Sequence, residues 1–342
     1  GFTTPELSDA WEDYLNRRYW PEIAGRDRGE EILKQLTDHS EDNSYLNLGA
    51  SISPDGQKVA FVTDRSGYSD IYVVSTLDGT VLSKPVRGER SDEFETLHVL
   101  RPGASWSPDG TRLCLVAKAG ASDAIHIVDA DSGRLERTLR FPLDGMFTPS
   151  WSPDGARIAF VGTKGGASDL YVVDLGTGEP ERLTRDFFDE RDPEWSPDGR
   201  TIAFASDRSA PTRQDLSRTY DLFLFDLDSG TVRPLVLTRA DEHQPTWSPD
   251  GGTIAYVSDE SGSPQLHLVE LDSGTTVQAT NLIGGVSSPS WARDADWMAL
   301  CVYGQMGWDV ASVKEPVEAF SDAADSSAVR PSIDPEYVRG EA

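Results

Sequence analysis

This sequence predicts an all-β protein, a six-bladed β-propeller with a short N-terminal helix and an N-terminal strand closing the last blade. Three observations carry that prediction. A turn motif recurs six times, short β-rich runs follow each copy in a fixed order, and the two chain ends hold complementary parts of one incomplete unit. Internal repetition of 40–50 residues is the mark of a propeller blade.

The turn comes first. Ser53-Pro54-Asp55-Gly56 opens the series, and Trp-Ser-Pro-Asp-Gly follows at 106–110, 151–155, 195–199 and 247–251. A decayed sixth copy reads Trp291-Ala292-Arg293-Asp294-Ala295, so the turn prolines at 54, 108, 153, 197 and 249 give way to Arg293. Proline presets φ, aspartate bonds back to the backbone and glycine takes positive φ, so each copy predicts a tight turn between two strands.

The strands follow in order. An apolar run comes after each turn, as in Val59-Ala60-Phe61-Val62 and Ile202-Ala203-Phe204-Ala205. A polar loop leads to a second run such as Asp169-Leu170-Tyr171-Val172-Val173, then a turn ending in glycine, then a short run ending in Leu-Thr, as at Leu183-Thr184 and Leu237-Thr238. β-branched and aromatic runs bounded by turn residues are strands. A small residue four places after each turn position (Ala60, Cys114, Ala159, Ala203, Ala255, Ala299) suits the narrow inner part of a blade, and the motif tryptophan fills the gap to the next blade.

The ends predict closure. The sixth unit runs out near Val310-Ala311-Ser312-Val313, whereas Ile32-Leu33-Lys34-Gln35-Leu36-Thr37 before the first unit has the Leu-Thr ending of a fourth strand. Joining the two removes an open sheet edge. The propeller is thus expected over residues 31–320. Residues 1–30 read as a helical segment or the end of an upstream domain, with Thr4-Pro5 starting a helix and Leu7, Trp11, Tyr14 and Leu15 on one face. Residues 321–342, rich in Ser, Ala and Asp, read as a linker or tail.

Composition narrows the function. Acids outnumber bases 58 to 31, a net charge of −27, which opposes binding of nucleic acid. No apolar stretch is long enough for a helical membrane span. The chain starts at Gly1 without a basic segment and apolar run, so no signal peptide is read in it; either one was removed or the chain is a piece of a longer protein. Cys114 and Cys301 fall in blades 2 and 6, which do not adjoin, and read as buried thiols.

With five good copies of the motif, the chain resembles the TolB-like propellers; the same repeat occurs in the propellers of prolyl-oligopeptidase-like enzymes. The TolB-like resemblance implies a bacterial cell-envelope or periplasmic location and a protein or peptide partner. The stretch Leu7 to Ile23 ahead of the propeller is similar to a junction in large envelope proteins where a zinc-metallopeptidase-like domain comes first. That resemblance implies a second reading, an accessory or substrate-gating propeller of a peptidase.

A search for chemistry finds no HExxH, no GxSxG and no phosphate loop, so catalytic residues, metal ligands and cofactors are not expected in this chain. The five histidines are scattered, and His126 and His267 occupy equivalent strands of different blades. What remains is one face. The segment before each motif tryptophan and the loop after each IAF-type run lie at the same ends of antiparallel strands. Around the channel mouth this places Asn47, Arg101, Asp144, Asp189, Glu190, Arg191, Asp192, Asp241, Glu242 and His243. A loop about eight residues longer than its counterparts adds Arg208, Arg213 and Arg218 from blade 4. Insertions on one face of a repeat protein mark its binding face. The rim is expected to bind a partner, its arginines carrying little stability, or else to hold a small ligand or cation; the plain alternative is a solvated acidic surface.

Overall fold

The computed structural model describes residues 32–88, 94–97, 103–120, 122–209, 219–304, 306–321 and 330–332, with isolated residues between 10 and 26. The strands form six antiparallel sheets. Their innermost strands touch one another in a closed ring, blade 1 to blade 6 and back to blade 1, around a central channel. Blade 4 shows the plan: Glu190–Trp195 innermost, then Thr201–Ser206, Asp221–Asp226 and Thr231–Val236, each antiparallel to the last.

The turns close as their residues require. In blade 4 the Ser196 hydroxyl donates to Asp198 at 2.6 Å, Asp198 accepts the Arg200 N–H at 3.0 Å, and Gly199 sits at φ 70°. The Ser196 hydroxyl and the Arg200 amide hold the Asp198 carboxyl below its ordinary range. The small residues Ala60, Cys114, Ala159, Ala203, Ala255 and Ala299 are all fully buried. The motif tryptophans wedge between blades: the indole N–H of Trp106, Trp195 and Trp247 donates to the carbonyls of Ser51, Ser150 and Glu194 on the preceding blade.

Closure occurs as expected. Lys34–Gln35 pairs antiparallel with Gly307–Lys314, opposite Ser312 and Ala311, and completes blade 6. The Thr37 hydroxyl accepts the Val310 N–H at 2.9 Å, as Thr184 does from Leu170 and Thr280 from Leu266. The N-terminal strand therefore makes the same side-chain bond as a chain-contiguous fourth strand. Asp309 secures the clasp by accepting from the Thr37 hydroxyl and the His39 N–H and by pairing with the His39 ring at 2.6 Å.

The two flanking segments are described only in part. Within the supposed tail, Arg330–Pro331 adds a fifth strand to blade 5, and the Ser332 carbonyl accepts the Leu237 N–H of blade 4. Residues 330–332 thus lie against the outer strands of blades 4 and 5. In the N-terminal segment the described residues 10, 11, 14 and 17–19 are helical, with Trp11 and Tyr14 exposed and stacked on each other; Leu7 and Leu15 lie outside the described residues.

Candidate functional site

The channel wall is built by one local device repeated round the ring. In five blades the innermost strand carries a bulge, where the pairing register skips between Leu48 and Ser51, Phe147 and Ser150, Arg191 and Glu194, His243 and Thr246, and Ser287 and Ser290. A residue in the left-handed region sits in each: Gly49 at φ 65°, Thr148 at 44°, Asp192 at 50°, Gln244 at 54° and Ser288 at 50°. Left-handed backbone costs a non-glycine residue on the order of 1–2 kcal/mol. Four polar residues held there mark a wall whose shape is imposed by the fold. Pro149, Pro193, Pro245 and Pro289 follow them. Proline has no N–H, so this half of each bulge leaves no donor unpaired. The Ser288 N–H donates to Gln244 Oε1 at 2.7 Å and links two of these residues across adjacent blades.

Below this ring lies a second one, formed by the residue before each tryptophan position. Ser105, Thr246 and Ser290 hydroxyls each accept the N–H of the next blade's Trp151, Trp291 and Ile52 at 3.0–3.1 Å. Blade 4 has Glu194 instead, which accepts the Ser150 hydroxyl at 2.7 Å and whose carboxyl is pushed up by desolvation against the pull of Arg293. Arg293 reaches across the ring from blade 6 and donates through Nη2 to the Trp151 carbonyl of blade 3. The channel space between them is about 130 Å³.

The rim residues have varied fates. Asp144, Asp189 and Asp241 do lie at the loop face, but each binds a backbone amide: Gly165 to Asp144 at 2.7 Å, Ser168 to Asp189 at 3.0 Å and Tyr220 to Asp241 at 2.8 Å. The N–H groups of Asp189 and Asp241 in turn donate to the loop acids Asp207 and Asp259. Part of the acidic rim is thus a relay of caps that fixes the loops.

Three rim residues are corrected outright. Asn47, Glu190 and Glu242 are buried, not exposed. Asn47 donates to the Ser44 hydroxyl and the Trp308 carbonyl. Glu190 pairs with Arg208 at 2.5 Å, and burial, outweighing the guanidinium, pushes its carboxyl up to about 7. Glu242 accepts from Thr238 and Ser258 and is pushed up to about 8, again chiefly by burial. Arg208 is corrected with them. Its side chain is only 15% exposed, and the guanidinium lies over Phe188, Phe204 and Phe223, so it is a blade component and not a loop charge of little consequence for stability.

Arg191 stacks on Tyr220 at 3.8 Å, and His243 is half-buried. Asp192 lines the channel. Arg101, Arg213 and Arg218 lie outside the described residues. The residues that reading the loops missed are Thr148, Gln244, Glu194 and Arg293. Two of them had a visible signal, since Glu194 stands where other blades have Ser or Thr and Arg293 where they have proline.

Other chemistry-bearing groups are structural. Cys114 and Cys301 are buried free thiols, both pushed up to about 12 by desolvation. His126 is buried and pushed down to about 4, mainly by burial, and His267 is buried at the matching place in blade 5. Among the described residues, Asp38, His39 and Asp309 bring possible metal-ligand atoms within 4.8 Å of one another, and His39 and Asp309 already serve the closing clasp.

Six antiparallel blades, a PDG-type turn in five of them and a closing N-terminal strand define a six-bladed propeller. The comparisons with known proteins agree. Residues 94–214 match the family model described as the TolB beta propeller domain (PD40), and residues 196–299 match that of the dipeptidyl peptidase IV N-terminal region. The chain is a six-bladed propeller whose repeats are similar to those of the TolB PD40 domain. Over 87 residues, 25% of this chain and 20% of the relative, it is 36% identical to the Tol-Pal system protein TolB of Francisella tularensis subsp. mediasiatica. Over 96 residues, 28% of this chain and 15% of the relative, it is 28% identical to the uncharacterized peptidase YuxL of Bacillus subtilis. The matched stretches therefore span a fifth or less of these curated relatives. The crystal structure of TolB from Acinetobacter baumannii superposes with a TM-score of 0.55 at 20% identity, covering 82% of this chain and 68% of that one, a likeness of fold. No described helix is long and apolar enough to cross a membrane.

Proposed function

We propose that this chain is a non-catalytic protein-interaction module of the bacterial cell envelope that engages a protein or peptide partner at the loop face, around the channel mouth. The ring of bulges carries this reading. A constant backbone device presents a polar side chain in four blades, Thr148, Asp192, Gln244 and Ser288. Constant scaffold with variable display is how binding surfaces are built on rigid folds. The TolB relative supports the envelope location and the interaction role. Asp144 and Asp192, with the arginine-bearing blade 4 insertion, supply the charges that orient a partner, and that contribution weakens with salt.

A photo-cross-linking residue placed at Asp144 tests this in cells. A specific adduct there, with none from the same probe at Asp198 on the turn face, is the expected result. Adducts from both faces or from neither reject the loop face as the interface.

The peptidase-like matches favour a second reading, an accessory propeller of a larger envelope peptidase. It requires a peptidase domain in the same gene product, and the translated gene decides it.

A further inference from the structure

The repeat serves as its own reference. At the residue before the tryptophan position five blades place a hydroxyl, and blade 4 places Glu194. At the turn proline five blades keep proline, and blade 6 places Arg293. Both departures bring in an ionisable side chain, one acidic and one basic, and both residues line the one channel. Arg293 spans it: Nη2 donates to the Trp151 carbonyl on the facing blade, while Nη1 is buried with no partner. The Thr148 hydroxyl, also on the channel wall, is a second buried polar group with no partner. Polar groups that no protein atom satisfies are costly to leave unpaired, and two of them on one channel wall are available to hydrogen-bond a polar molecule that enters it.

From these groups we infer that the channel binds a small zwitterion, an α-amino acid or a molecule of that class, with its carboxylate on Arg293 and its ammonium toward Asp192 and Thr148. The innermost strand runs from loop face to turn face, so Asp192 lies nearer the mouth and Arg293 nearer the floor. Charge complementarity excludes the simpler ligands. A bare anion meets Asp192 and a chain of net charge −27, whereas a bare cation meets Arg293. A zwitterion satisfies both ends, and the Thr148 hydroxyl can accept from its ammonium. Glu194, held by Ser150, positions the guanidinium. The space of about 130 Å³ has room for several water molecules or one small organic molecule.

Calorimetric titration of the full chain with L-alanine, acetate and ethylammonium tests the inference. L-alanine is expected to bind saturably, with acetate and ethylammonium each at least about tenfold weaker. Arg293→Pro restores the residue of the other five turns, so it should melt as the parent does while losing L-alanine binding; Arg293→Gln should lose it as well. Asp192→Asn should weaken L-alanine and bring it closer to acetate. The inference is overturned if no probe binds, if acetate binds as tightly as L-alanine, or if a folded Arg293→Pro or Arg293→Gln protein binds L-alanine unchanged. These readouts need no partner protein, so they fail or succeed independently of the cross-linking at the loop face.

Discussion

Blades 4 and 6 share one plan and reach it by different routes. Blade 4 draws its four strands from a single stretch, Glu190 to Val236, and keeps the full turn chemistry of Trp195 and Asp198. Blade 6 takes its outer strand, Lys34–Gln35, from the other end of the chain, and its turn has lost serine, proline and glycine. Yet Trp291 is still buried, and the Ala292 N–H still donates to the Trp297 carbonyl at 2.8 Å, as Ser196 does to Thr201. The repeat therefore holds firm where side chains pack between blades. It can decay in a turn once the paired strands fix the backbone. The freed position is where Arg293 enters the channel.

The largest test of this difference is to break the long-range route. Removing residues 1–38 exposes the edge of blade 6. The shortened chain is expected to aggregate or to melt in more than one step by calorimetry, whereas a single transition at the parent temperature would show that closure is dispensable. Next comes the buried pair that blade 4 holds where blade 6 has Val286. Arg208→Ala leaves the Glu190 carboxylate without its guanidinium and should cost about 3 kcal/mol in denaturant unfolding. A cost below about 1 kcal/mol would restore Arg208 to the class of surface charges.

The clasp can be compared with its counterpart. Asp309→Ala in blade 6 removes bonds to Thr37 and His39, and Asp221→Ala in blade 4 removes the bond to the Thr238 N–H. Each should cost about 1.5–3 kcal/mol, and only the Asp309 change should also loosen the chain end, seen as faster amide exchange over residues 34–37.

Blade 5 shares the buried acid of blade 4, and here pH is the probe. The folded state raises the Glu242 carboxyl to about 8, so the folded protein holds a proton that the unfolded chain releases. Stability should therefore fall as pH rises from the ordinary glutamate range to about 8, by at most about 1.4 kcal/mol per pH unit from this group. Glu242→Gln should flatten that part of the profile in urea titrations; an unchanged slope would assign it to other groups. The smallest effect belongs to the turns. Asp198→Ala should cost about 1 kcal/mol through its lost bonds, while Asp294→Ala, at the exposed matching place in blade 6, should stay within about 0.5 kcal/mol. Equal costs would mean that the sixth turn has not decayed in function.

Much of the fold was legible because its determinants are local or periodic. Pro-Asp-Gly dictates its own turn, alternating runs dictate strands, and the spacing of the copies counts the blades. Even closure could be read, because Leu36-Thr37 carries the ending of the other fourth strands and Thr37 makes the same bond. The rim was harder. Asp144 and Asp192 stand near the mouth, but Asn47, Glu190 and Glu242 point into the blades. The bulges explain this: one extra residue between Arg191 and Glu194, and at the matching places, reverses the alternation of side chains along the strand. Taking the whole segment before each tryptophan as rim therefore included residues whose side chains are buried, Glu190 and Glu242 among them.

The sequence by itself determined the number of blades, their strand order, the turn chemistry and the meeting of the two ends, since each follows from residue type and spacing along the chain. Only the tertiary structure decided which acids are buried, which polar residues the left-handed bulges turn toward the channel, and that Arg293 spans it to Trp151, a contact across 142 residues of sequence. The physical reason is that a channel belongs to no single blade. Its walls, its charge and its unpaired groups exist only once six separate strands have been brought into one ring.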